Sequence, residues 1–196
     1  MIWQVFDNME QCSAEEVQRL LKCVSSQRAE KAMSYKRLQH QYACLKAYDI
    51  LHKMLEEQGV IAKAEPLYFD LSLHGKPYIS RYPDVHFNIS HCNYAIAVAI
   101  DSRPIGLDVE RCYMPNDDFL RYTMNDSEIK QILTAEHPNQ AFALLWTAKE
   151  AYVKMKGESI HQDIPRLLQN IDNQNVIFTS RVNAEKQYAC SIVSQQ

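Results

Sequence analysis

Apolar and polar positions alternate along the chain in patterns that predict both strands and helices. Short apolar runs or period-two alternation predict strands at residues 2–6, 67–73, 78–79, 85–100, 104–110, 176–179 and 187–193. Helical spacing covers residues 14–23, 28–38, 42–55, 126–133 and 138–156, and Gly157 is expected to end the last of these helices. The segment between the strand at 104–110 and the helix at 126–133 is rich in Asn and Asp and predicts a loop. The fold class is therefore predicted to be α+β.

Each half of this pattern contains one long helix and about three strands. Residues 101–104, which join the halves, are long enough only for a turn. We therefore expect two similar α+β subdomains, residues 1–103 and 104–196, packed as one body. A crevice between packed subdomains is a natural position for a ligand.

Composition and charge narrow the classes of function. The chain has 196 residues, is 46% hydrophobic and carries a formal net charge of -3, which fits a folded globular protein. Residues 19–53 nevertheless hold eight Lys or Arg against two acidic residues. This local positive charge favours a small anionic ligand over nucleic acid, although a solvated helix face has the same composition.

Location and redox chemistry are also constrained by the sequence. No run of about 18 apolar residues and no basic segment followed by an apolar one is present, so we expect neither a membrane span nor a signal peptide, and a cytoplasmic protein. The six cysteines are scattered without a Cys-x-x-Cys pair. This distribution predicts buried, reduced thiols rather than a disulfide framework or a zinc site.

The strand at residues 104–110, PIGLDVE, places two carboxylates in an otherwise apolar segment. Side chains of a strand alternate between its faces, so Asp108 and Glu110 point to one side while Ile105, Leu107 and Val109 point to the other. The polar side of this strand is therefore expected to face a charged partner.

The long helix offers a third carboxylate. Trp146, Glu150 and Lys154 recur at four-residue spacing and share one helix face. If this helix packs on the strand, three carboxylates converge, and their repulsion favours a bound cation such as Mg²⁺, which prefers oxygen ligands. An ordinary exposed Glu150–Lys154 pair is the alternative.

Several segments together resemble the Sfp-type 4′-phosphopantetheinyl transferases. The matching stretches are PIGLDVE, LWTAKEAYVKMKG at residues 145–157, FNISH at residues 87–91 and the turn GKP at residues 75–77. Such enzymes transfer the phosphopantetheine arm of coenzyme A to a serine of an apo acyl or peptidyl carrier protein, with Mg²⁺ or alternatively Mn²⁺ as cofactor. The resemblance also implies a pseudo-twofold, pseudo-dimeric single chain with the site in its crevice. Because one chain of this length can hold both halves, a monomer without nucleic-acid or membrane partners is expected.

The resemblance further implies roles for individual residues. The metal ligands would be Asp108, Glu110 and Glu150, and the catalytic pair would be Glu150 as general base and Lys154 as the cation on the transferring phosphoryl group. The coenzyme A contacts would be Ser90 and His91 at the phosphates, Gly75, Lys76 and Pro77 at the adenine end, and Arg28 and Lys31 at the 3′-phosphate.

The segment after the carboxylate strand, CYMPNDDFLRYTM, is expected to contact the carrier protein. Met114, Phe119 and Leu120 would supply apolar contacts, and Arg121 would meet an acidic helix of the carrier. The alternative is that Phe119 and Leu120 anchor the loop to the core.

The chain departs from the family pattern at two places. Cys92 follows the FNISH histidine where relatives often have a hydroxyl residue, and His40 lies near a position where many relatives carry arginine. Two other functions remain open from the residues alone: a Mg²⁺-dependent hydrolase of phosphate esters or nucleotides, and a non-catalytic module that binds coenzyme A or a carrier protein.

Overall fold

A computed structural model of the chain describes residues 1–158, 163–169, 171 and 175–196. The first 103 residues contain five strands and three α-helices. In chain order these are β1 (Ile2–Phe6), α1 (Ala14–Leu21), α2 (Ser26–Met33), α3 (Leu38–Glu57), β2 (Asp70–Leu71), β3 (Pro77–Tyr78), β4 (His86–His91) and β5 (Ile96–Asp101). The expected strand at 67–73 is thus only two residues long, and the expected run at 85–100 is a hairpin of two strands.

The described part of the second half contains three strands and three α-helices. In chain order these are β6 (Ile105–Arg111), α4 (Asp117–Thr123), α5 (Asp126–Thr134), α6 (Pro138–Lys156), β7 (Val176–Asn183) and β8 (Tyr188–Gln195). Gly157 ends α6 with φ of 68°, as its sequence position predicts. No helix among the described residues is long and apolar enough to cross a membrane.

The prediction of a loop between β6 and α5 is wrong, because this segment contains helix α4. Asn116 caps the helix by accepting a hydrogen bond from Phe119 N at 2.9 Å, and two aspartates occupy the first turn. The polar residues that suggested a loop are therefore the residues that begin a helix. The boundary predicted between the second and third helices is also shifted, since α2 ends at Met33 and α3 begins at Leu38.

In the described part of the chain, three small antiparallel sheets accompany the helices, which confirms the α+β class. The two larger sheets have the strand orders β1-β5-β4 and β6-β8-β7. Each of these sheets places its third strand in the middle, with its first strand on one side and its second on the other. In both halves the long helix, α3 or α6, lies in sequence between the first and second strands of the sheet.

The two larger sheets share an apolar interface. The alanines of the first sheet and the branched residues of β6 belong to one buried cluster, which contains Ala95, Ala97, Ala99, Ile105, Leu107 and Val109. The opposite face of β5 packs on the helices of the first half through Ile96, Val98 and Ile100. A side chain also joins the sheet edges, since Asn88 Oδ1 accepts a hydrogen bond from Leu107 N at 2.8 Å. The two halves therefore form one packed body.

The contact between β6 and α6 is unusually close at Gly106. A β-carbon at this position would lie 1.9 Å from the carbonyl oxygen of Ala151 and 2.3 Å from the amide nitrogen of Met155. Only glycine allows the strand and helix backbones to approach this closely. Gly106 therefore fixes how β6, with its carboxylates, sits against α6.

The burial of the cysteines differs from one to another more than the sequence predicts. All six are free thiols, but only Cys44 and Cys190 are buried, and Cys23 is exposed. The expectation that all of them fill the core is therefore wrong.

Gly106→Ala should lower the free energy of unfolding by about 3 kcal/mol, because the added methyl group overlaps backbone atoms that cannot move independently. Urea denaturation measures the loss. Gly59→Ala is the control, since Gly59 has φ of 68° but no atom lies within 4 Å of the place that its added methyl group would take. This control should lose only about 1 kcal/mol for backbone strain. Equal losses for the two variants would contradict the close-contact explanation.

Candidate active site

The centre of the candidate site is an ion pair between β6 and α6. Lys154 Nζ donates to Asp108 Oδ1 at 2.5 Å. Asp108 is 3% exposed, so its charge is largely withdrawn from water, whereas Lys154 is half-buried. A charge this deeply buried is tolerated only with a close partner, and Lys154 supplies one.

Strand β4 of the first half completes the polar surroundings of Asp108. Ser90 Oγ donates to Asp108 Oδ1 at 2.8 Å and lies 3.4 Å from Lys154 Nζ. The other carboxylate oxygen, Asp108 Oδ2, is buried without a hydrogen-bond partner among the described residues. One oxygen of Asp108 is thus held by protein groups, and the other remains available to an additional ligand.

Glu110 and Glu150 lie close enough to this pair to influence each other's ionisation. Burial raises the pKa of Glu110, and the neighbouring Asp108 charge raises it further. Burial also raises the pKa of Glu150 to about 7, with Asp108 and Glu110 adding to the shift and Lys154 opposing it. The site therefore contains a carboxyl group that can gain or lose a proton near neutral pH.

The chemistry of these groups fits a hard divalent cation, but the ligands are not preassembled. Within the described ranges, no three His, Cys, Asp or Glu side chains form a metal-binding group. The donor set nevertheless consists of carboxylate oxygens, one of which is the unpartnered Asp108 Oδ2. Their mutual repulsion is what a cation would relieve. The assignment of Asp108, Glu110 and Glu150 as ligands stays a prediction.

A cavity of about 360 Å³ on the first half brings together four of the predicted coenzyme A residues. Arg28 and Lys31 of α2 line it, together with Gly75 of the turn before β3 and Pro77, the first residue of β3. The Arg28 guanidinium lies over the Phe69 ring, 5.6 Å from its centroid, and Arg28 Nε donates to the carbonyl oxygen of Cys44 at 3.0 Å. These contacts hold a cation at the cavity wall.

Lys76 is directed away from this cavity. Its ammonium group donates to the carbonyl oxygens of Ile105 at 2.9 Å and Lys154 at 2.7 Å, with Met155 at 3.4 Å. Burial lowers the pKa of Lys76 to about 8. The side chain therefore holds the turn against β6 and the end of α6, and its ammonium group does not face the cavity that contains Arg28.

His91 lines a second, smaller cavity of about 210 Å³ together with His40. The two imidazole rings are stacked with centroids 6.5 Å apart. His91 has an exposed surface but lies at a concave wall, where partial loss of water lowers its pKa and the charges of His40, Lys154 and Arg28 lower it further. Cationic groups thus surround His91, which is the environment that an anionic ligand requires.

The expected carrier-protein contacts are divided between surface and core. Met114 and Arg121 are exposed, and Phe119 is half-buried against the Trp146 ring at 5.4 Å. Leu120 is only 4% exposed and packs in a cluster with Phe142. Leu120 is therefore a core anchor and cannot contact a partner, which corrects that part of the expectation.

The sequence of the half that carries the carboxylates is similar to that of known proteins. Residues 104–195 match the family model of the 4′-phosphopantetheinyl transferase superfamily. A 4′-phosphopantetheinyl transferase from Bacillus subtilis is 32% identical over 151 residues, which is 76% of this chain and 66% of that protein. The chain belongs to the 4′-phosphopantetheinyl transferase superfamily.

Two further relatives show how far the similarity extends. The 4′-phosphopantetheinyl transferase Sfp of Bacillus subtilis strain 168 is 27% identical over 76% of this chain and 66% of its own length. The 4′-phosphopantetheinyl transferase gsp of Aneurinibacillus migulanus is 27% identical over 70% of this chain and 58% of its own length. The chain thus matches about two thirds or less of the length of these transferases.

Sequence reasoning assigned no role to two buried polar residues within the matching segments. Asn88, in the FNISH segment, joins the two sheets through its hydrogen bond from Leu107 N. Lys149, in the LWTAKEAYVKMKG segment, is fully buried and paired with Glu128. A polar residue at an apolar strand or helix position was the available signal in both cases, but the partner lies far away in sequence.

The raised pKa of Glu150 gives a testable pH dependence of stability in metal-free protein. Because the folded pKa of about 7 exceeds the ordinary value of 4.5, the folded protein takes up a proton more readily, and wild-type stability falls as pH rises from 4.5 to 7. Glu150→Gln should therefore match wild type near pH 4 and exceed it by about 2 kcal/mol at pH 8, after allowance for partial solvent screening.

Urea denaturation in the presence of a chelator, at a series of pH values, measures this difference. Glu136→Gln, an exposed position on another surface, is the control and should show no comparable trend. A difference between Glu150→Gln and wild type that stays constant from pH 4 to pH 8 would contradict the shifted pKa.

Proposed function

We propose that this chain transfers the 4′-phosphopantetheine group of coenzyme A to a serine of an apo acyl or peptidyl carrier protein, releasing adenosine 3′,5′-bisphosphate. The observation that carries the proposal is the arrangement of three consecutive residues of β4. Ile89 lines the cavity that contains Arg28 and Lys31, Ser90 contacts Asp108, and His91 lines the smaller cavity that contains His40. One strand thus joins cavities suited to a phosphorylated ligand to a carboxylate–lysine cluster suited to phosphoryl transfer.

The resemblance to this family, together with the cluster at Asp108, supports the following roles for the reacting groups. The carrier serine hydroxyl attacks the phosphorus next to pantetheine, the bond from that phosphorus to the adenosine-side phosphate oxygen breaks, and the leaving phosphate keeps the electron pair. Glu150 accepts the serine proton, the role that the resemblance to this family implies for it. Lys154 neutralises charge on the transferring group.

A divalent cation, Mg²⁺ or Mn²⁺, would be held by Asp108, Glu110 and Glu150. When bound, it would screen the phosphate charge and polarise the phosphoryl group. The fit rests on the oxygen-only donor set and on the free oxygen of Asp108. Lys154 and Ser90, which already hold the other oxygen of Asp108, would keep that carboxylate in a fixed orientation.

The shared connectivity of the two halves supports the wider architecture of the proposal. Residues 1–103 and 104–196 act as subdomains related by a pseudo-twofold, each with one long helix and one three-stranded sheet of the same strand order. The first subdomain binds coenzyme A and the second carries the carboxylates. Because both sides of the crevice come from one chain, the protein works as a monomer.

Substitution of the site carboxylates tests the mechanism. Asp108→Ala and Glu150→Gln should each lower the rate of transfer about 1,000-fold or more, since one removes the buried anion and the other the base. The mass of an apo-carrier protein incubated with coenzyme A and Mg²⁺ reports transfer. Glu136→Gln should retain wild-type rates, and substantial transfer by Glu150→Gln would rule out its role as base.

The cavity lined by Arg28 and Lys31 leads to a separate prediction for the binding of coenzyme A. Lys31→Ala and Arg28→Ala should raise KM for coenzyme A about tenfold, equivalent to the loss of one charge-assisted contact. With dephospho-coenzyme A, which lacks the 3′-phosphate, the same substitutions should change KM little. Lys36→Ala, at an exposed position outside the cavity lining, is the control. Equal losses with both substrates would remove Arg28 and Lys31 from the 3′-phosphate site.

A further inference from the structure

Lys149 is a fully buried lysine that the proposed chemistry does not use. Its exposed fraction is 0%, and its ammonium group donates to Glu128 Oε2 at 2.7 Å. It also donates to three backbone carbonyl oxygens, those of Thr123 at 2.8 Å, Ile164 at 3.1 Å and Pro165 at 3.4 Å. Every donor of the ammonium group therefore has a partner.

These partners belong to three different parts of the second half. Thr123 is the last residue of α4, and a cation at the carboxyl end of a helix is favourable. Glu128 lies in the first turn of α5, where its Oε2 also accepts a hydrogen bond from Asn125 N at 2.9 Å. Asn125 in turn donates through Nδ2 to the Pro165 carbonyl oxygen at 3.0 Å. Lys149 thus sits at the junction of α4, α5 and the segment 163–169.

The cost of burying a charge makes a gain in stability a weak explanation for this junction. Burial lowers the pKa of Lys149, although the hydrogen bond and charge of Glu128 oppose the shift. An apolar side chain could fill the same space without this desolvation cost. A lysine, in contrast, fixes the direction of four acceptors at once, so it defines the position of the parts that carry them.

Lys149 lies between the proposed base and the helix expected to contact the carrier protein. Lys149 is directly followed by Glu150, the proposed base, so the two side chains leave α6 about 100° apart. The junction fixes the end of α4, whose exposed Tyr122 (64%) and Arg121 lie on the surface expected to meet the carrier protein. One stretch of α6 is therefore connected to both the base and the docking helix.

We infer that Lys149 is a positioning residue that holds helix α4, as the docking surface for the carrier protein, in register with Glu150. The inference rests on the proposed transferase function. It assigns no contact with substrate to Lys149. Its effect reaches the reaction through the placement of α4 relative to α6.

The test is a comparison of KM values for the two substrates. Lys149→Met should raise KM for the apo-carrier about tenfold while KM for coenzyme A stays within about twofold of wild type. A merely structural role would lower the active fraction, so that kcat falls and both KM values remain unchanged. Lys130→Met, at an exposed position on α5, is the matched control and should match wild type.

A second variant keeps the test valid if Lys149→Met folds poorly. Lys149→Met combined with Glu128→Gln leaves no uncompensated buried charge and retains a side chain that can close the capping box at Asn125. This double variant should recover thermal stability but keep the raised KM for the carrier. Recovery of both stability and carrier KM, or equal rises of both KM values in either variant, would overturn the inference. Failure of the wild-type protein to modify any carrier would instead refute the proposed function itself.

Discussion

The direct backbone contact between β6 and α6 at Gly106 is the constraint on which the rest of the site depends. Because no side chain separates the two elements, Asp108 and Lys154 lie within hydrogen-bond distance, and Glu110 and Glu150 influence each other's ionisation. A wider separation would leave Asp108 as a buried anion without its cation, which is costly. Packing and catalysis are therefore determined by the same contact.

Three lysines near this contact have different partners. Lys154 faces the carboxylates, Lys76 fastens the turn of the first half to the carboxyl end of α6, and Lys149 joins α4, α5 and the segment 163–169. Only Lys154 has its ammonium group among the proposed reacting groups. The ammonium groups of the other two donate to backbone carbonyl oxygens. The same residue type therefore has a proposed catalytic role at one position and a structural role at two others.

The sequence predicted most where local patterns carry the information. Alternation in PIGLDVE and four-residue spacing in α6 placed Asp108, Glu150 and Lys154 together, and glycine ended α6 where expected. Long-range partners were not predictable. The burial of Leu120, the direction of Lys76 and the junction at Lys149 depend on segments that meet only after folding. Helix α4 was mistaken for a loop because Asn and Asp favour both turns and helix caps.

Product analysis of the wild-type protein tests the central claim most directly. The protein would be incubated with coenzyme A, Mg²⁺ and a panel of apo-carrier proteins, and both the carriers and the nucleotide products would be analysed by mass spectrometry. The account predicts that at least one carrier gains one phosphopantetheine group on its serine and that an equal amount of adenosine 3′,5′-bisphosphate is released. Cleavage of coenzyme A without modification of any carrier would contradict it and indicate a hydrolase, and binding without cleavage would indicate a non-catalytic module.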